Sequence, residues 1–103
     1  MKLLPKEFSK KGFNFREIKR KGNVAIYERS KGESVKHYEV AVIKSHQGFN
    51  LGGSFIAPSE VYPCDSQWGI YGWTLPSLEK AEEKFEDISK KHYQSNEGER
   101  DNK

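Results

Sequence analysis

From Phe13 the chain begins to alternate apolar and polar positions, Phe13 and Phe15 sharing one side of a strand that runs weakly to Arg20. Lys21-Gly22-Asn23 reads as a turn. Val24 to Ser30 follows as a second strand, with Val24 and Ile26 on one face and Ala25 and Tyr27 on the other. Lys31-Gly32-Glu33 closes it, because glycine permits the positive φ that tight hairpins often need. The clearest strand is Val35 to Lys44, where Tyr38, Val40 and Val42 alternate with Glu39, Ala41 and Ile43. Both of its faces are partly apolar, which predicts a central position. Phe49 to Ile56 reads as a fourth strand, bulged or sharply bent at Gly52-Gly53. Pro58 and Pro63 make Ala57 to Gln67 an irregular loop, and Trp68 to Thr74 is a short final strand. Short connections between the first four strands predict antiparallel neighbours, since parallel pairs need long crossovers.

The spacing then changes. Leu78, Ala81, Phe85 and Ile88 recur at three, four and three positions, one face of a helix that runs to about His92. Ser77 is its expected N-cap. Glu79, Glu82 and Glu83 lie near the positive end of the helix dipole, Lys90 and Lys91 near the negative end. The pairs Glu86/Lys90 and Asp87/Lys91 are expected to add roughly 0.2 to 0.5 kcal/mol each. From Gln94 onward no apolar residue remains. The predicted fold is therefore α+β, a single small domain with an antiparallel meander of about five strands packed against one C-terminal amphipathic helix. Residues 1–12 are expected to be a basic N-terminal arm docking partly through Leu3, Leu4 and Phe8. Residues 13–93 form the domain, and residues 94–103 a disordered polar tail.

Composition narrows this further. A chain of 103 residues holds one core and not two. Only 34% of it is hydrophobic and 32% is charged, so a thin core must rely on its thirteen Phe, Tyr and Trp residues. No apolar run approaches a membrane span, and MKLLPKEFSKKG lacks the apolar stretch of a signal peptide. The expected location is the cytoplasm. Cys64 is the only cysteine, which excludes an internal disulfide.

No catalytic motif appears. A Cys64 nucleophile would need His37, His46 or His92 as its base, yet Cys64 lies in a loop with no helix N-terminus placed to lower its pKa. The three histidines and one cysteine lack zinc-ligand spacing. Paired carboxylates fall on the solvated helix face, and no Gly-Lys-Ser or Gly-Lys-Thr follows Gly52-Gly53. The sequence thus predicts a protein without catalysis, metal or cofactor.

What remains is recognition. Residues 1–23 hold eight Lys or Arg against two Glu, whereas residues 49–77 hold no Lys or Arg and two acids. A basic segment attracts phosphate backbones or acidic surfaces. The densest aromatic stretch, Tyr62 to Trp73, follows in that nearly uncharged middle. In an ideal strand Trp68 faces one way, and is expected in the core, while Tyr71 and Trp73 face the other and are free to stack bases or anchor a partner. The leading expectation is a nucleic-acid-binding or nucleic-acid-machinery accessory protein. Lys10, Lys11, Arg16, Lys19, Arg20 and Lys21 would meet phosphates, and Tyr71 and Trp73 would stack. A second reading is an inhibitor that binds a host protein such as a nuclease or polymerase subunit. A third is a self-assembling module, since an open sheet has two edges to cover or pair.

The run Trp68-Gly69-Ile70-Tyr71-Gly72, followed by Ser77-Leu78-Glu79-Lys80-Ala81 and Phe85, resembles the WGR domain, in which a strand bearing Trp-Gly-Arg precedes a helix with Ala and Phe at this spacing. HYEVAVIK is similar to that family's early strand. The likeness spans roughly residues 35–92, with Ile70 in place of the arginine, and implies association with DNA as in poly(ADP-ribose) polymerases. The YP, WGxxGWT and LxxAxxxF elements also resemble small proteins of tailed bacteriophages, which implies action in a bacterial host cytoplasm.

Overall fold

The structure, a computed structural model, describes the backbone of residues 1–101 and the side chains of residues 1–34 and 37–91. The main sheet has the order β1 (Glu7–Lys10), β2 (Phe13–Lys21), β3 (Val24–Lys31), β4 (Ser34–Val42) and β9 (Gly72–Leu75), every pair antiparallel. Helix α1 (Leu78–Asp101) packs on it. An α+β fold with a five-stranded antiparallel sheet and one C-terminal helix is what the periodicity predicts, but two of the five strands differ.

One correction is at the N-terminus. Residues 1–12 are more than an arm: Glu7–Lys10 pairs with β2, Phe8 opposite Phe15, and their rings stack at 4.9 Å. The other is in the middle. The strand expected over Phe49 to Ile56 folds on itself at Gly52-Gly53 into a hairpin, β6 (Phe49–Leu51) against β7 (Ser54–Ile56), outside the main sheet. Both glycines take positive φ, +56° and +87°, so the pair makes a turn where a bend within one strand was expected. A second small ladder joins β5 (Lys44–His46) to β8 (Ser59–Val61). The final strand also starts later than expected, because Trp68 closes a 3-10 turn, Asp65–Gln67, and precedes β9.

Because β3 and β4 are apolar on both faces, the sheet has two cores. Val24, Ile26, Val40 and Val42 meet Ala81, Phe85 and Ile88 on the helix side. Phe15, Ala25, Tyr27, Ala41, Ile43 and Tyr62 form the other core, with Leu4, Phe8, Phe13 and Trp68 at its margin. That second face is covered by the N-terminal segment and the loop around Tyr62. Lys2 donates to Pro58 and accepts from Glu60, the Leu4 N–H reaches a Glu60 carboxylate oxygen at 3.0 Å, and the Tyr27 hydroxyl donates to the Pro5 carbonyl.

Ser77 caps α1 as expected, accepting from the Lys80 N–H at 3.2 Å. Leu78 departs from the predicted packing face: it is 36% exposed, whereas Ala81, Phe85 and Ile88 are buried. Asp87 and Lys91 pair at 3.6 Å, but Glu86 reaches Lys19 of β2 at 3.9 Å. The helical backbone continues to Asp101, past the expected end at about His92 and through most of the segment expected to be a tail; residues 102 and 103 lie outside the described residues.

One irregularity governs where the basic residues point. In β2, Glu17 pairs with Tyr27 and Lys19 with Ile26, so Ile18 is an extra residue that shifts the register. Beyond it the alternation of faces is inverted.

Candidate binding cleft on the helix-free face

The register places the eight candidate residues in three settings. Arg16, Lys19 and Lys21 lie on the helix side of β2, opposite Glu28, Ile26 and Val24. Arg16 pairs with Glu28 at 3.0 Å, and Lys19 sits 3.4 Å from Glu82 and over the Phe85 ring. Arg20 projects to the other face, where its guanidinium grips Glu60 through two bonds of 2.9 and 2.8 Å. That grip holds the Glu60 carboxyl below its ordinary pKa and Arg20 above its own. Lys10 and Lys11 stand beside the β1–β2 turn on this same helix-free side.

Tyr71 and Trp73 do not form an open platform. Both are half-buried against the helix-side core. Lys44 lies 3.6 Å from the Tyr71 ring centre and Lys84 lies 4.7 Å from that of Trp73. The sheet order also puts β3 and β4 between them and the basic strand β2. The structure therefore does not bring the basic residues and these two aromatics together.

It assembles a different group. A cleft of about 350 Å³ opens on the helix-free face, with Lys10 and Lys11 at one side, Phe13 and Arg29 along the sheet, Glu39 buried, and Trp68 opposite. Trp68 is held from two directions. Its indole N–H donates to the Thr74 hydroxyl at 2.9 Å, and its ring lies so close over Gly72 that a Cβ there would meet ring carbons at 2.3 Å. Lys10 is 5.2 Å from the Tyr62 ring centre, and Lys11, at a φ of +54°, reaches Asp65 at 2.5 Å. The Lys11 ammonium and Asp65 carboxyl shift each other's pKa up and down respectively through that bond. Arg29 stacks over Phe13 at 4.8 Å and bonds to Glu39 Oε2 at 3.2 Å and to His37 Nδ1 at 3.0 Å. Its Nε is buried without a hydrogen-bond partner among the described residues.

Glu39 is the focus of this cleft. Only 5% of it is exposed. Its Oε1 accepts from the Tyr62 hydroxyl at 2.8 Å. Burial raises the Glu39 pKa, against the lowering effects of Tyr62 and Arg29, and burial with the Glu39 charge pushes the Tyr62 hydroxyl far above its ordinary value. Phe13, Arg29, Glu39 and Trp68 line this cleft and are not among the site residues expected from the sequence. Alternation shows that Phe13 and Phe15 share a face, but it fixes neither the partner of Phe15, which is Arg29, nor the path of the covering loop.

Cys64 is exposed, with Ser66 Oγ 3.1 Å from its thiol, and that contact lowers its pKa. No group of three or more His, Cys, Asp or Glu is gathered as a metal site among the described residues, and no helix there is long and apolar enough to cross a membrane. The His92 side chain lies outside the described residues.

Fold and cleft together define a small α+β protein with a cationic, aromatic-walled recess on the sheet face opposite its helix. No family model, curated protein sequence or solved structure matches the chain.

Proposed function

We propose that the protein binds nucleic acid without catalysing a reaction, and that it takes an unpaired base into the helix-free cleft. The observation that carries this reading is the placement of Trp68 and Phe13 with Lys10, Lys11 and Arg29 around one recess. Aromatic side chains stack bases of any sequence, and lysines beside them track the backbone. The volume of about 350 Å³ is at the lower end of small-ligand sites, enough for a single base and too small for a base pair in its stack. Arg20 and Arg16 are outside the contact set of this reading because neither lines the recess.

The test is binding of labelled single-stranded and duplex oligonucleotides across a salt series. The single strand should bind more tightly, with an affinity that falls steeply as salt rises. Trp68→Ala and Lys10→Ala should each weaken it, while Trp73→Phe should not. Absence of binding at low salt would overturn the reading.

A second reading, a protein partner, is favoured by one feature. The β6–β7 hairpin exposes Phe49, Leu51 and Phe55, at 45%, 64% and 65%. A partner retained from nuclease-treated bacterial lysate by the protein, and lost with Leu51→Ser plus Phe55→Ser, would support it over the nucleic-acid reading.

A further inference from the structure

The floor of the cleft has a hydrogen-bonding pattern of its own. Each Glu39 oxygen accepts one bond from the protein, Oε1 from Tyr62 and Oε2 from Arg29. A carboxylate offers about four acceptor sites, so roughly one remains on each oxygen. Beside it Arg29 keeps a buried Nε–H with no partner among the described residues. The unmet demand is thus two adjacent donors and one acceptor.

Resting on the nucleic-acid reading above, we propose that the cleft selects guanine, whose 2-amino group and N1–H would bridge the two Glu39 oxygens while its O6 faces Arg29. Among the four bases only guanine presents two neighbouring N–H donors followed by a carbonyl. Adenine and cytosine place one amino donor beside an acceptor, and thymine or uracil flanks its single N–H with two carbonyls. A neutral glutamine in place of Glu39 would offer one acceptor and one donor and lose the match. A guanidinium group from a protein also carries paired donors, but Lys10, Lys11 and Arg29 outnumber Glu39 and Asp65 around the recess, and that balance disfavours a further cation there. Burial strengthens the discrimination, since a mismatched base leaves Glu39 and Arg29 desolvated and unpaired.

The experiment is fluorescence anisotropy with fluorescein-labelled thymine-only strands that carry one central guanine, inosine, adenine or cytosine. The guanine strand should bind about tenfold more tightly than the adenine, cytosine or thymine-only strands. Inosine, which lacks the 2-amino group, should fall between. Glu39→Gln should reduce the guanine preference to less than about twofold while leaving the salt dependence intact. Should that variant not fold, the guanine-to-inosine difference in the unaltered protein decides. Equal binding of all strands with a steep salt slope would overturn the guanine assignment and leave the nucleic-acid reading standing. No binding of any strand at low salt would overturn both. Displacement of the guanine strand by free arginine at lower concentration than by guanosine monophosphate would also overturn it, in favour of a protein guanidinium.

Discussion

The Tyr62 hydroxyl donates to Glu39 Oε1 across 2.8 Å, tying the loop that covers the helix-free face to the strand beneath it. The bond lies among stacked rings, with Tyr62 edge-on to Tyr27 at 5.3 Å and to Phe8 at 5.4 Å. Removing it leaves a buried carboxylate with Arg29 as its remaining donor. Tyr62→Phe should therefore lower stability by about 1 to 3 kcal/mol at neutral pH. Burial raises the folded-state pKa of Glu39, so protonation favours the folded protein. Its stabilising effect is present below the ordinary glutamate pKa and is lost as pH rises through the higher folded value. Urea unfolding at several pH values should show the parent gaining on Glu39→Gln as pH falls from neutrality through that window. A constant difference would contradict the assignment.

Arg20 and Glu60 make the opposite case. The pair is mostly covered, at 21% and 13% exposure, and Glu60 also accepts from the Leu4 N–H. Glu60 has a lowered folded pKa, so its contribution is present above the ordinary glutamate value and fades as pH falls through the lower one. Glu60→Gln should cost about 1 to 2 kcal/mol at neutral pH. It should also speed amide hydrogen exchange at Leu4, which loses its carboxylate acceptor.

Gly72 is required by Trp68. A methyl group at Gly72 would fall 2.3 Å from a ring carbon, closer than any nonbonded contact, and Gly72 itself is buried. Gly72→Ala should destabilise by about 1 to 3 kcal/mol. In a Trp73→Phe background it should red-shift Trp68 fluorescence as the indole is displaced toward water. Binding of single strands, if Trp68 stacks a base, should weaken in parallel.

On the helix side Phe85 is fully buried between α1 and the sheet. Phe85→Ala should cost about 3 to 5 kcal/mol. For a small domain that is a large share of total stability. Leu78→Ala, at a position 36% exposed, should cost far less, and thermal melts of the two variants distinguish the true packing face from the predicted one.

Much of the fold is legible in the alternation of β2, β3 and β4 and in the spacing of Ala81, Phe85 and Ile88, because burial on a face imposes a period. The hairpin at Gly52-Gly53 is not, since a bend within one strand and a turn between two leave the same pair of glycines. Strand β1 escapes notice because four residues with one core-facing aromatic carry too short a pattern. The opposed facing of Trp68 against Tyr71 and Trp73 is correct although Trp68 stands outside the strand. That Tyr71 and Trp73 pack toward the helix side with Lys44 and Lys84 over their rings is set by tertiary packing, which alternation does not encode. The cleft residues Arg29 and Glu39 look like ordinary polar positions of half-buried strands until the covering loop leaves one part of the face open.

Ile18 separates two ways of counting along β2. Residues before it and after it obey opposite parities, so Arg16 and Arg20, which an unbroken strand would place together, stand on opposite faces and answer to different acids. Were Ile18 to pair directly with Ile26, every residue after it would change sides: Lys19 would leave Glu82 for the loop, and Arg20 would leave Glu60 for the helix. Deleting Ile18 would not do this, since Glu17 would stay opposite Tyr27 and Lys19 opposite Ile26 in an unbroken ladder. The one unpaired residue is thus as much a determinant of the charge pattern as the identities of the charged residues.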